Sequence, residues 1–167
     1  MKTYKLSLLA MAFMFLFTSC SKDEIETTEE ANYSIDLNLA QETDWEIANN
    51  ILVLINEHRV SVGLSTIQAD QQYASAYAVD HTNYMIGVNG INHDNFNVRS
   101  EGLKDRGAVR VGENVANGYT SAEAVVNAWL NSPSHKAIIE GNYTHSGFGV
   151  IPNDNGTYFF TQLFYSK

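Results

Sequence analysis

Two imidazoles and one carboxylate carry the strongest chemical signal in this 167-residue chain. His93 lies in Gly90-Ile91-Asn92-His93-Asp94, and Glu113 in Val111-Gly112-Glu113-Asn114-Val115-Ala116. His135 ends the stretch Ala128-Trp129-Leu130-Asn131-Ser132-Pro133-Ser134-His135. Brought together, two neutral imidazoles and a carboxylate make a three-ligand set for zinc with a fourth position open to water. The same trio without metal could move a proton. A structural role, in which Glu113 and His93 hydrogen-bond to pin loops, is equally open. The chain has no His-Glu-x-x-His, no paired cysteines and no Gly-x-Ser-x-Gly, so the motifs of standard zinc proteases and serine hydrolases are missing.

Other residues are weighed beside these. Ser132 and Ser134 next to His135 invite a Ser-His dyad, but serines at a helix start already have a capping purpose. Asn114 is expected to tie a loop through its amide. Trp129, at helical spacing with Val125 and Val126, is expected in the core. His145 could line the same cleft or be structural, and His58 and His81 are expected at surface or core-edge positions on helices. Asp154 and Asn155 fit a turn, in a loop too short for an EF-hand. Tyr158, Phe159, Phe160, Phe164 and Tyr165 crowd the end of the chain, where strand alternation would bury about half and leave the rest for a hydrophobic groove.

The elements that must position these residues can be read from patterning. Asp44 is placed to cap a helix with apolar positions Trp45, Ala48, Ile51, Leu52 and Ile55, ending near Val62-Gly63. A second helix is predicted from about Gln68 to Met85, with Tyr73, Ala74, Tyr77, Ala78, His81 and Met85 on one face. Ser121 is placed to cap a third helix, with Glu123 in its first turn. Ser132-Pro133 opens a short fourth helix that ends at Gly141 or Asn142. Strands are predicted over Ser146–Ile151 and Thr157–Tyr165, joined by a hairpin turn at Asn153-Asp154-Asn155-Gly156.

The chain's beginning reads differently. Lys2 and Lys5 precede an apolar run from Leu8 to Phe17, closed by Thr18-Ser19-Cys20, which is the pattern of a secretory signal over residues 1–19. Phe17-Thr18-Ser19-Cys20 further resembles a bacterial lipobox, with Cys20 lipidated; a plain secretory peptide with a stray cysteine is the alternative. Residues 20–43 read as an acidic flexible tether, and residues 44–167 as the folded domain. Cys20-Ser21-Lys22-Asp23-Glu24 resembles the export signal of Bacteroidetes-type surface lipoproteins, or is simply a solvated spacer. Cys20 is the only cysteine, so the domain is expected to hold together by packing without disulfides. The net charge of −9 becomes two units more negative once Lys2 and Lys5 are removed. Such an acidic protein is repelled by nucleic acid and by anionic headgroups, so membrane attachment would come from acyl chains on Cys20.

Val111-Gly112-Glu113-Asn114-Val115-Ala116, Ala128-Trp129 through His135, Asn56-Glu57-His58-Arg59 and Phe160-Thr161-Gln162-Leu163-Phe164 together resemble the CAP superfamily (SCP/PR-1-like domains) in its compact bacterial form. The resemblance covers nearly all of residues 45–165 and implies an α+β fold, an α-β-α sandwich with a short antiparallel sheet between helices. It also implies that His93, Glu113 and His135 approach one another. Typical members carry two histidines and two glutamates in a cleft that binds a divalent metal in some of them. Here His93 and Glu113 match, but Ser132 stands where the second glutamate is expected and Phe159 where the second histidine is expected. His135 matches the histidine of a Ser-Pro-Gly-His stretch common in bacterial relatives, written here Ser132-Pro133-Ser134-His135. The lipobox-like and export-signal-like residues 17–24 further imply a lipid-anchored protein of the cell envelope, on the outer membrane and exposed at the surface or else facing the periplasm. Its domain would act as an extracytoplasmic binding module toward a cell-wall, host or small-molecule ligand. The alternatives are a metal-assisted hydrolase, with zinc and Glu113 as base or ligand, and a carrier of an apolar ligand such as a sterol or fatty acid.

Overall fold

The computed structural model describes residues 34–167. The secretory segment, Cys20 and most of the tether lie outside the described residues. Helix α1 (Trp45–Ser61) begins where Asp44 accepts the backbone N–H groups of Glu46 and Ile47, and it stops before Gly63, whose φ of +81° suits glycine. Strand β1 (Gln68–Ala69) follows, then α2 (Tyr73–Gly87), α3 (Phe96–Lys104) and β2 (Arg110–Asn117). The second half holds α4 (Ala122–Asn131), α5 (Pro133–Ile139), β3 (His145–Pro152) and β4 (Tyr158–Ser166).

The sheet order is β1-β3-β4-β2, with β1 parallel to β3 and the other pairs antiparallel. The register Glu113↔Leu163↔Gly147 sets which side chains share a face. On one face Ala116, Phe148, Val150, Phe160 and Phe164 pack against Ile51 and Ile55 of α1 and Val125 and Trp129 of α4. On the other, Leu163 and Tyr165 pack with Ala74, Tyr77 and Ala78 of α2 and Leu103 of α3. Helices thus cover both faces, as the α-β-α sandwich requires. Gly147 and Gly149 let α2 lie directly on β3, because a Cβ at either position would overlap the α2 backbone at Ala74 or Ala78.

The structure differs from expectation in several places. The tether does not run to Thr43: Leu37–Glu42 form a 3-10 helix opened by the Asp36 side chain, and Ile35, Ala40 and Thr43 are buried. Thr43 Oγ1 donates to the Phe148 carbonyl at 2.6 Å, so three apolar or bonding residues suffice to dock a mostly polar segment. The second helix starts at Tyr73 rather than Gln68, because Gln68 and Ala69 pair with β3 and Asp70 then turns the chain. Ser132 stands at the start of α5 with Pro133 after it, yet its hydroxyl makes no capping bond and instead pairs with Ser134 Oγ at 3.2 Å. Phe159, Phe160, Phe164 and Tyr165 are all buried, because helices occupy both sides of β4. The hydrophobic groove expected on that strand is therefore core. Trp129 is core as expected, its indole N–H donating to the Val115 carbonyl at 3.2 Å.

Candidate functional site

Glu113 and Asn114 are consecutive on β2, an edge strand, so they point to opposite faces of the sheet. Asn114 reaches toward α5, where its Nδ2 donates to the His135 carbonyl at 3.2 Å. This fixes the first turn of α5 against the strand, the tying role expected of Asn114. Its Oδ1 is buried without a hydrogen-bond partner.

Glu113 faces α3 and is covered there, its side chain only 2% exposed. A buried carboxylate needs compensation, and Arg99 of α3 supplies it as a two-pronged pair. Arg99 Nε donates to Glu113 Oε2 at 2.8 Å and Nη2 donates to Oε1 at 2.9 Å. The remaining nitrogen, Nη1, donates to the Asp94 carbonyl at 2.7 Å, so the same guanidinium fastens the loop before α3. His93 in that loop places Nδ1 2.8 Å from Glu113 Oε1 while its side chain stays 54% exposed. A carboxylate held by arginine only accepts, so the His93 proton sits on Nδ1 in the neutral ring and the Nε2 lone pair is left over.

His81 of α2 lies beneath. Its Nε2 donates to the Asn92 carbonyl at 2.8 Å and is 4.0 Å from Glu113 Oε1. Burial, and then the positive charge of Arg99, push its pKa below the ordinary histidine value, so it acts as a neutral strut under the His93 loop. Burial, and then the charge of His93, push the His135 pKa below the ordinary histidine value. The structure thus brings His93 and Glu113 together, while His135 stands on α5, tied through its carbonyl to Asn114 on the other face of the sheet. Ser132 and Ser134 bond to each other and not to the His135 ring, which gives a Ser-His dyad no hydrogen bond to stand on. His145 is elsewhere, stacked on Tyr165 with Nδ1 on Thr144 Oγ1, and His58 pairs with Glu140.

Arg99 and His81 are the site residues that sequence reasoning missed. His81 carried a signal, since its spacing with Tyr77 and Met85 placed it on a buried face. Arg99 carried none, because no element had been assigned around it.

Hollows lie on the described surface. One of about 380 Å³ is lined by Asp80, His81, Asn83, Tyr84, Asn95, Val98 and Arg99, and it adjoins the Glu113 cluster through the two residues they share. A larger one of about 540 Å³ sits along α1 at Val53, Asn56, Glu57 and Val60, away from any of this chemistry.

The zinc expectation meets an obstacle in the carboxylate. Glu113 already accepts three hydrogen bonds, two of them from a guanidinium. Among the described residues no group of three or more His, Cys, Asp or Glu side chains is arranged to hold a metal ion. The residues present do not fit the group.

A sheet sandwiched by helices, with an acid after glycine on its edge strand and a histidine loop closing over it, defines the class. The pattern of the CAP family, described as the cysteine-rich secretory protein family, matches residues 52–164, and the chain belongs to that family. It is 40% identical over 107 residues to the uncharacterized membrane protein YlbC of Bacillus subtilis (strain 168), covering 60% of this chain and 30% of that one. The chain spans less than half the length of the curated relatives it matches. Among solved structures, an extracellular protein containing a SCP domain from Bacillus anthracis str. Ames matches with a TM-score of 0.58 at 29% identity, covering 71% of this chain and 40% of that one. An outer surface protein from Borrelia burgdorferi shares the fold, with a TM-score of 0.65 at 24% identity over 73% of this chain and 93% of that one.

Proposed function

We propose that the domain is an extracytoplasmic recognition module whose binding surface is the β2 edge, with His93, Glu113 and His135 as its polar centre. The observation that carries this reading is the His93 ring, fixed on its inner edge by a buried Glu113–Arg99 pair and half exposed on its outer edge. Such an arrangement presents one oriented polar atom to a partner at little conformational cost. Tyr84, Val88 and Ile91 are exposed on the same stretch of chain, a combination of apolar contact and directed polar groups that suits recognition. A cell-envelope location, anchored through lipidated Cys20, is part of this proposal. It is supported by the secretory and lipobox-like pattern of residues 1–20 and by the extracellular and membrane descriptions of the Bacillus relatives. Among the described residues no helix is long and apolar enough to cross a membrane.

The test uses fluorescently labelled full chain on isolated cell-wall sacculi and on a panel of immobilised host extracellular-matrix proteins. Saturable binding that weakens at least tenfold in the His93→Ala/His135→Ala double variant is the expected result. Full binding by that variant would move recognition away from this edge. No binding of the parent chain to either probe would count against a wall- or matrix-directed role.

A further inference from the structure

We infer that Arg99 is a built-in cation that neutralises the buried Glu113 carboxylate, and that its presence makes this site refractory to zinc. Three of the roughly four lone-pair positions of Glu113 are already taken. Oε2 accepts from Arg99 Nε at 2.8 Å, and Oε1 accepts from both Arg99 Nη2 at 2.9 Å and His93 Nδ1 at 2.8 Å. A metal could take both oxygens of this carboxylate only by displacing the guanidinium, and the one position left, on Oε2, lies directly beside that positive charge.

The guanidinium is not free to leave. Its third nitrogen is held by the Asp94 carbonyl at 2.7 Å, its side chain is 5% exposed, and the Phe96 ring lies 6.0 Å from its central carbon. A dication entering beside it would meet a fixed positive charge in a partly desolvated place, where repulsion is poorly screened.

The remaining candidate ligands do not repair the set. His93 keeps its proton on Nδ1 and has only Nε2 to give, while His81 has turned its Nε2 proton to the Asn92 carbonyl. Ser132 and Phe159 replace the other two expected ligands, and Phe159 is buried in the core. Two imidazoles without a carboxylate remain, a weak set for zinc. Arg99 therefore acts as a positioning residue: it fixes Glu113, and through Glu113 it fixes His93.

Although this is the surface of the recognition reading, the role of Arg99 rests on geometry alone, and metal titration reads it with no partner present. The experiment titrates zinc by calorimetry, and cobalt(II) by visible absorption, into metal-stripped full-length protein and its Arg99→Gln and Arg99→Lys variants. The parent chain and Arg99→Lys are expected to show no stoichiometric site and no tetrahedral cobalt band. Arg99→Gln, with the carboxylate released, is expected to bind zinc at least a hundredfold more tightly than the parent and to gain thermal stability when zinc is added. One-to-one zinc binding by the parent chain that Glu113→Gln abolishes would overturn the inference, and this arm holds even if Arg99→Gln fails to fold. A folded Arg99→Gln that binds zinc no better than the parent would overturn it as well.

Discussion

Arg59 offers a stability prediction with a magnitude that follows from geometry. It lies near the end of α1, 2% exposed, and its hydrogen-bond partners are all backbone carbonyls. Nη1 donates to Ile139 at 2.6 Å and to Gly141 at 2.9 Å, Nε donates to Ser65 at 2.8 Å, and Nη2 reaches Tyr143 at 3.4 Å. These carbonyls belong to the loop after α1 and to the end of α5 with the turn that follows it, so one side chain clamps two chain reversals together. Burial pushes the Arg59 pKa below its ordinary value. Replacing a buried ion pair with apolar groups can be neutral when both partners are replaced. Here the acceptors are main chain and would remain behind; the Gly141 carbonyl keeps the Tyr143 N–H, while those of Ser65 and Ile139 lose the short bond from Arg59. Three short charge-assisted bonds, offset by relief of the buried charge, give an expected loss of about 3–5 kcal/mol for Arg59→Met. With a urea slope of roughly 2 kcal/mol/M, the unfolding midpoint should fall by about 2 M. Arg59→Lys should fall between, since an ammonium has three donors and no planar fork. Urea unfolding followed by circular dichroism reads all three proteins. A Met variant within about 1 kcal/mol of the parent would refute the reasoning, because it would mean that the carbonyls find water without cost.

Two more outcomes follow from packing and titration. Gly149→Ala places a methyl against the Ala78 carbonyl of α2, where neither backbone can yield easily, and thermal denaturation should show a loss of at least about 1–3 kcal/mol; an unchanged melting temperature would contradict the close approach of α2 to β3. The buried His81 and the half-buried His135 both have pKa values below the ordinary one, so the unfolded chain takes up protons on these rings first as pH falls. Stability should therefore be fully present above about pH 6.5 and decline below it, with a slope of at most about 1.4 kcal/mol per pH unit for each ring. Urea midpoints between pH 8 and 5 check this, His81→Gln should flatten the curve, and a parent midpoint that rises on acidification would refute it.

Local chemistry made part of this fold legible. Asp44 and Ser121 cap α1 and α4 through their own side chains, and Asn153 closes the hairpin by accepting from Asn155 and Thr157, so these boundaries follow from a few neighbouring residues. The features that escaped depend on distant partners. β1 is two residues long and exists only because β3 lies beside it, and β2 is fixed by its full pairing with β4. α3 has mostly polar residues, and it opens at Asn95 with a φ of +56° and no side-chain cap, so no start signal announced it. That omission hid Arg99, whose role appears only when α3 comes to rest against Glu113. His93, Glu113 and His135 are named by family likeness; the structure pairs His93 with Glu113, and Arg99, which decides the chemistry of that pair, is set by tertiary approach.

The Arg99–Glu113 pair holds His93 with its proton inward and its lone pair outward. Long-range nitrogen–proton correlation spectra of the ¹⁵N-histidine-labelled protein at pH 8, where an ordinary imidazole is neutral, measure this directly. The expected result is a single His93 tautomer, protonated on Nδ1 and bare at Nε2, with the preference relaxed in Glu113→Gln. A His93 ring protonated on Nε2, or averaged between tautomers as in a free peptide, would contradict it.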